Sequence, residues 1–178
     1  MAKTSRENAQ TIVTRRHEIS GAAILWTDGA CEPNPGIGGW GYRFERQGHE
    51  PEEGFGGDAA TTNNRMELLA IIEGVKAAPA GVPLIVRTDS HLCVLCAVGR
   101  WARKVNLDLW RKLADAVEGR TVVFEWWRGH CGTPGNERAD ELAAMGRQTV
   151  IESSDDERAA MRELREIAGV TVLVYDQT

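Results

Sequence analysis

Apolar and polar positions change their spacing three times between residues 22 and 146. Ala22-Ala23-Ile24-Leu25-Trp26 is a continuous apolar run ending at Thr27 and Asp28, and it predicts a first strand over 22–28. Gly29, Pro33, Asn34, Pro35 and Gly36 break that strand. Residues 38–47 read as a second strand, with Trp40, Tyr42 and Phe44 alternating onto one face. After a turn at Gly48, residues 49–57 make a weaker third strand, rich in Gly and Glu. Three strands this close in sequence predict an antiparallel meander. The period then lengthens. Leu68, Ile71, Ile72 and Val75 repeat at i, i+3, i+4 and i+7, which predicts a helix over 61–78 with Thr62, Asn63 and Asn64 as candidate caps. Pro79 to Pro83 ends it, and Leu84 to Thr88 is a short fourth strand closing at Asp89. A helical crossover lets that strand run parallel to the first. Residues 90–98 and 106–118 read as helices, and Thr121 to Trp127 as a fifth strand. After the loop RGHCGTPGN, Thr133 as cap and Pro134 at the first position open a helix over 134–146.

The flanks differ from this core. Residues 1–20 read as a polar arm. Beyond Gly146, Ser153-Ser154-Asp155-Asp156 reads as a linker or cap, and Met161, Leu164, Ile167 and Ala168 as one helical face. Val170 to Tyr175 is strand-like and needs a partner edge, on the main sheet or a second chain. The organisation expected is an arm (1–20), a core domain (21–146) and an extension of helix plus strand (147–178).

Composition adds limits. The chain has 178 residues, 42% hydrophobic and 26% charged, which suits one soluble domain. No apolar run reaches membrane-spanning length and no export signal is visible, so a cytoplasmic setting without a membrane partner is expected. Cys93 and Cys96 form a lone C-x-x-C in the apolar run LCVLCAV and read as small buried hydrophobes. The net charge of −5 argues against bulk attraction to nucleic acid. Residues 100–112 run against that total, with Arg100, Arg103, Lys104, Arg111 and Lys112 around Trp101 and Trp110. Two readings stand for this stretch: a surface for a phosphate backbone, or a solvated helical face with two anchoring tryptophans.

The chemistry gathers on acids at element ends. Asp28 closes the first strand, Asp89 closes the fourth, Glu67 sits in the first turn of the first helix, and Asp140 in the second turn of the last core helix. Parallel neighbouring strands bring Asp28 and Asp89 out side by side, where open sheets bind ligands. Each acid also has a purely structural explanation. Asp28 precedes a turn glycine, Glu67 can close a capping box with Asn64, Asp89 can cap a helix, and Asp140 can pair with an arginine. Four like charges converging on one point call for divalent cations of the Mg²⁺ or Mn²⁺ class. His130, in Gly129-His130-Cys131-Gly132, is a candidate for proton transfer at neutral pH.

Five ordered blocks resemble the type 1 ribonuclease H family: Asp28-Gly29 through Asn34-Pro35-Gly36 to Gly38-Gly39; Thr61-Thr62-Asn63-Asn64-Arg65-Met66-Glu67-Leu68; Thr88-Asp89-Ser90; Asn106 to Trp110; and Gly129-His130 with Asn136 to Ala143. The resemblance spans residues 22–146. It implies an α/β ribonuclease H-like fold, a five-stranded mixed sheet in order 3-2-1-4-5 flanked by helices. It implies endonucleolytic hydrolysis of the RNA strand of RNA·DNA hybrids, with two Mg²⁺ ions (or Mn²⁺) per site when substrate is bound, and 5′-phosphate and 3′-hydroxyl products. By that resemblance Asp28, Glu67, Asp89 and Asp140 are the metal-ligating acids and His130 the mobile catalytic histidine. Asn34 and Asn63 face the RNA strand, Asn64 the DNA side, and Thr62 with Asn106 a DNA-strand phosphate. The glycines after Asn34 are expected to keep the loop flat against the hybrid groove.

Three departures from the family pattern stand out. Gly99 to Asn106 is too short for the basic, tryptophan-bearing protrusion of many bacterial members. His91 stands where many members carry a substrate-contacting glutamine. The extension past Gly146 lies outside the matched blocks and is a candidate for self-association of an otherwise monomeric protein. Two other functions compete: a non-catalytic binding module on the same fold, and an integrase-like or exonuclease-like enzyme. The full set of acids with His130 speaks against the first, and the Thr-Asn-Asn strip with Asn106 against the second.

Overall fold

The computed structural model describes residues 19–168. Nine elements follow in order: β1 (Ala23–Cys31), β2 (Gly36–Glu45), β3 (Glu52–Thr61), α1 (Asn63–Ala77), β4 (Leu84–Thr88), α2 (His91–Ala97), α3 (Leu107–Val117), β5 (Val122–Trp126) and α4 (Pro134–Ala168). The strands form one sheet in the order β3-β2-β1-β4-β5, as the resemblance implies. β1, β2 and β3 pair antiparallel, and β4 joins β1 and β5 in parallel. β1 and β4 are central and read as near-continuous apolar runs because both faces are covered. β3 is an edge strand, mostly exposed, which explains its polar, glycine-rich sequence.

One face of the sheet carries the main core. Leu25, Val86 and Phe124 meet Leu68, Ile71 and Val75 of α1 and Leu109, Leu113 and Val117 of α3. Each such side chain contributes about 1.5–3 kcal/mol by leaving water. Trp110 belongs to this core, and the guanidinium of Arg103 lies 5.0 Å from its ring centroid while Nε donates to the Cys96 carbonyl at 3.1 Å. Arg103 and Trp110 of the basic stretch therefore secure α2 and α3, whereas Trp101 stands exposed. Cys93 and Cys96 are buried and unpaired, as small hydrophobes would be, and burial pushes the Cys93 thiol up to about 12.

α4 crosses the opposite face, where the strands have no side chains to hold it off. A Cβ on Gly39 would fall on Ala143 O, one on Gly41 within 2.5 Å of Leu142 Cβ, and one on Gly57 within 2.5 Å of Gly146 O. Gly146 returns the arrangement, lying against the backbone of Gly56. Gly39 and Gly41 of β2 thus serve helix–sheet contact, whereas Gly38 lies against Thr61 and Met66 and Gly36 against Pro33 of the loop.

α4 also departs from expectation in length. The break expected at Ser153 to Asp156 is absent, and one helix of 35 residues runs from Pro134 to Ala168. The polar residues read as a cap are satisfied inside the helix. Ser153 Oγ donates to Thr149 O at 2.8 Å, Gln148 bonds Glu152 at 3.0 Å, and Asp155 pairs with Arg158 at 3.2 Å. The strand expected at Val170 to Tyr175 and most of the N-terminal arm lie outside the described residues.

Candidate active site

β1 and β4 run parallel with Thr27 opposite Thr88, so the next residues, Asp28 within β1 and Asp89 just past the end of β4, stand side by side. Asp28 is buried, and its Oδ1 accepts from the Gly29 N–H at 2.7 Å. Gly29 in turn lies against the backbone of Met66 and Glu67, which draws the first turn of α1 onto β1. Thr62 caps α1 with an extended backbone but makes no side-chain cap bond, and Glu67 points inward, its Oε1 accepting from Asn63 Nδ2 at 3.4 Å. Asp28, Glu67 and Asp89 each present one carboxylate oxygen, and these oxygens lie within 4.8 Å of one another. Asp140, on α4, stands outside that tight group, yet its charge acts on all three.

The electrostatics of the cluster are unfavourable without a cation. Burial, then the charge of Asp89, and then that of Asp140 hold the Asp28 carboxyl up at about 7, against the opposing Gly29 hydrogen bond. Glu67 is raised well above its ordinary value by burial and by the charges of Asp28 and Asp89. Asp89 is raised by burial, while the nearby His130 pulls it down. Glu67 Oε2 is buried with no hydrogen-bond partner among the described residues. A closely set oxygen-only donor group with an orphaned carboxylate oxygen suits a hard divalent cation, and these residues fit one.

The structure departs from the structural explanations for the acids: Asp28 lies within β1, which runs on to Cys31, and not at a turn. Ser90, not Asp89, caps α2, accepting from Cys93 N at 3.3 Å. The contact back from Glu67 goes to Asn63, not to the Asn64 of a capping box. Arg138, the arginine closest to Asp140 in sequence, is committed to Glu53 and Glu141.

His130 sits in the loop between β5 and α4, exposed, with a left-handed backbone at φ 51°. The loop is fastened at both ends. Trp127 N donates to Thr88 O at 2.9 Å, and Trp127 Nε1 donates to Thr133 Oγ1 at 3.0 Å. Gly129 lies against the Asp89 carboxylate, where a Cβ would fall on Oδ2.

A model of the RNase H family matches residues 20–148 of this chain. The chain belongs to the RNase H family. Membership makes it an enzyme of the ribonuclease H class. A curated ribonuclease H of Saccharopolyspora erythraea is 44% identical over 158 residues, covering 79% of this chain and all of that one. Among solved structures, the N-terminal RNase H domain of a Mycobacterium tuberculosis protein superposes with a TM-score of 0.67 at 25% identity, over 76% of this chain and 99% of that one. LC11-RNase H1 in complex with an RNA/DNA hybrid gives 0.62 at 25% identity, over 72% and 99%.

In this RNase H domain the remaining predicted residues fall into two groups. Asn34 Oδ1 accepts from Asn63 N at 3.2 Å, joining the β1–β2 loop to the start of α1 beside Glu67, and Asn64 is exposed next to them. Asn106 caps α3 in a left-handed conformation at φ 56°, with no side-chain cap bond. Its Oδ1 accepts from Arg65 at 3.3 Å, and Arg65 also pairs with Asp108 at 2.8 Å, which holds the Asp108 carboxyl down at about 2. Arg65 therefore ties the N-terminus of α1 to that of α3. It lay within a matched block, but nothing in its spacing pointed to partners 41 and 43 residues away. His91 is exposed at the start of α2, between the rings of Trp101 and Trp126.

Proposed function

We propose that this protein cuts the RNA strand of RNA·DNA hybrids, using divalent cations held by Asp28, Glu67, Asp89 and Asp140. The observation that carries this reading is the Asp28, Glu67 and Asp89 cluster with its unpartnered buried Glu67 oxygen. Its likeness to a ribonuclease H solved with an RNA/DNA hybrid supports the substrate class. Two Mg²⁺ ions bound there would supply Lewis-acid stabilisation of the scissile phosphate and a deprotonated water at neutral pH.

The chain's own groups divide the remaining work. Asn34 and Asn63 are placed to receive the RNA strand beside Glu67, so a ribose 2′-hydroxyl is recognised where the acid cluster begins. Asn64 faces the DNA side. Thr62 and Asn106 stand at the starts of α1 and α3, joined through Arg65, whose charge is paired with Asp108; the two helix N-termini offer the seat for a DNA-strand phosphate. His130 moves a proton at the departing 3′-oxygen, leaving 5′-phosphate and 3′-hydroxyl ends. No base edge is addressed, so sequence preference is weak.

The test is cleavage of labelled RNA·DNA hybrid, RNA·RNA and DNA·DNA with Mg²⁺, Mn²⁺ or EDTA. Cleavage of the RNA strand of the hybrid alone, abolished by EDTA, is expected. Equal cutting of all three duplexes, or cutting that survives EDTA, overturns the reading.

A further inference from the structure

Beside the acid cluster the surface carries an aromatic wall. The imidazole of His91 has the indole of Trp101 on one contact and that of Trp126 on another, each with ring centroids 5.9 Å apart, at interplanar angles of 71° and 69°. The three rings come from three segments: the first residue of α2, the α2–α3 connection and the last residue of β5. Trp101 is 51% exposed and Trp126 49%, unlike Trp110 and Trp26, which are core. Val105 and Leu107 continue exposed apolar surface along the same connection. The wall is fastened to the site, since Trp126 Nε1 donates to the backbone carbonyl of Asp89 at 2.9 Å.

Grouped half-exposed tryptophans are surface that water leaves unsatisfied, and flat aromatic faces match flat ligands. Inside a duplex each base face is already covered by its neighbours, so an indole gains a stacking partner only from a base that is unpaired. Charge is available beside the wall as well: Arg100 and Lys104 are exposed on the same connection, whereas Arg103 is spent on the Cys96 and Ala97 carbonyls and on Trp110.

We propose that the Trp101–His91–Trp126 wall stacks an unpaired nucleobase adjoining the hybrid, so that hybrids bearing a single-stranded extension are the preferred substrates. This rests on the hybrid-cutting function proposed above. Stacking then holds the nucleic acid next to the acid cluster through a base as well as through its backbone.

The experiment compares kcat/KM of the full chain on one hybrid duplex with blunt ends, with a four-nucleotide single-stranded extension on each strand end in turn, and with the same extensions made of abasic sites. The expected result is roughly tenfold higher kcat/KM for one extended hybrid, carried by KM and lost with the abasic extension. Trp101→Ala brings the extended-to-blunt ratio to about one, and Trp101→Phe retains most of it. Equal rates on blunt and extended hybrids, or an advantage that survives abasic substitution, overturn the proposal. Because the abasic arm uses the unaltered protein, a misfolded variant does not blur the outcome. Failure to cut any hybrid overturns the function proposed above instead, which keeps the two readings apart.

Discussion

Gly29 lies flat against the backbone of Glu67: a Cβ at Gly29 would come within 2.8 Å of Glu67 Cα and overlap its nitrogen. Asp28 and Glu67 come together because the residue between strand and helix has no side chain. Gly29→Ala is expected to push α1 away from β1. The shift costs about 1–3 kcal/mol of stability by overpacking and moves one carboxylate out of reach of the others. Urea unfolding and hybrid cleavage check this together. The expected pattern is a modest loss of stability with a loss of activity of at least about 100-fold, since misplacing a reacting group by about 1 Å has that scale of effect.

The raised carboxyls make stability depend on pH in a stated direction. Asp28 sits near 7 in the fold and at an ordinary 3.8 when unfolded, so the folded state binds the extra proton. That contribution is complete below about 4 and is lost as pH rises through about 7. In EDTA the melting temperature should therefore fall between pH 5 and pH 8, and Mg²⁺ should restore it at pH 8 while doing little at pH 5. Asp28→Asn removes a buried like charge. It should raise the EDTA melting temperature at pH 8, by roughly 2–4 °C for each kcal/mol recovered in a chain of this size, while abolishing cleavage. Differential scanning calorimetry at the two pH values decides the matter.

His130 acts from a loop pinned at both ends by Trp127. His130→Ala should lower kcat by about 100-fold with little change in KM. Trp127→Phe keeps the ring beside Arg87 but deletes the donor to Thr133. A smaller drop in kcat and a shifted pH–rate profile are expected, with hybrid binding intact.

Arg65 gives a separate handle on binding. It bridges Asn106 and Asp108 across the starts of α1 and α3. Arg65→Gln should weaken binding evenly across hybrid sequences and flatten the slope of log affinity against log salt by about one. Titrations at three salt concentrations with Asp28→Asn as background measure it without turnover.

Removing residues after Gly146 deletes the Arg147 hydrogen bond to Glu32 O, 3.1 Å from Nε, and the packing of Val150 near Gly57. Glu32 belongs to the loop that carries Asn34. A lower melting temperature and a higher KM are expected, and an unchanged value of both would make the extension dispensable.

Much of this was legible in the residues. Periodicity located eight of the nine elements to within a few positions, and the start of α4 but not its end, because the apolar runs at Leu25 and Val86 and the stripe on α1 are what the core requires. The acids were legible as a set because Asp89 follows the end of β4 and Glu67 and Asp140 lie near the starts of α1 and α4; Asp28, read as a strand end, lies inside β1, which runs on to Cys31. Long-range polar pairings were not. Arg65 with Asp108 and Trp126 with Asp89 depend on chain crossings that no local pattern encodes. The seat that Gly39 and Gly41 make for α4 was not legible, because sequence shows the missing Cβ but not which partner fills its place. The run Ser153 to Asp156 looked like a stop, yet these residues bond within the helix, and strong formers on both sides carry it through.

That uninterrupted α4 sets a distance as well as a contact. At about 1.5 Å per residue, Ala168 stands roughly 40 Å along the axis from Asp140. Whatever is joined after the helix is borne at the far end of a stiff spoke whose hub is the acid cluster. A dye, surface tether or fused protein placed there reports on the whole molecule while leaving the end that meets nucleic acid open.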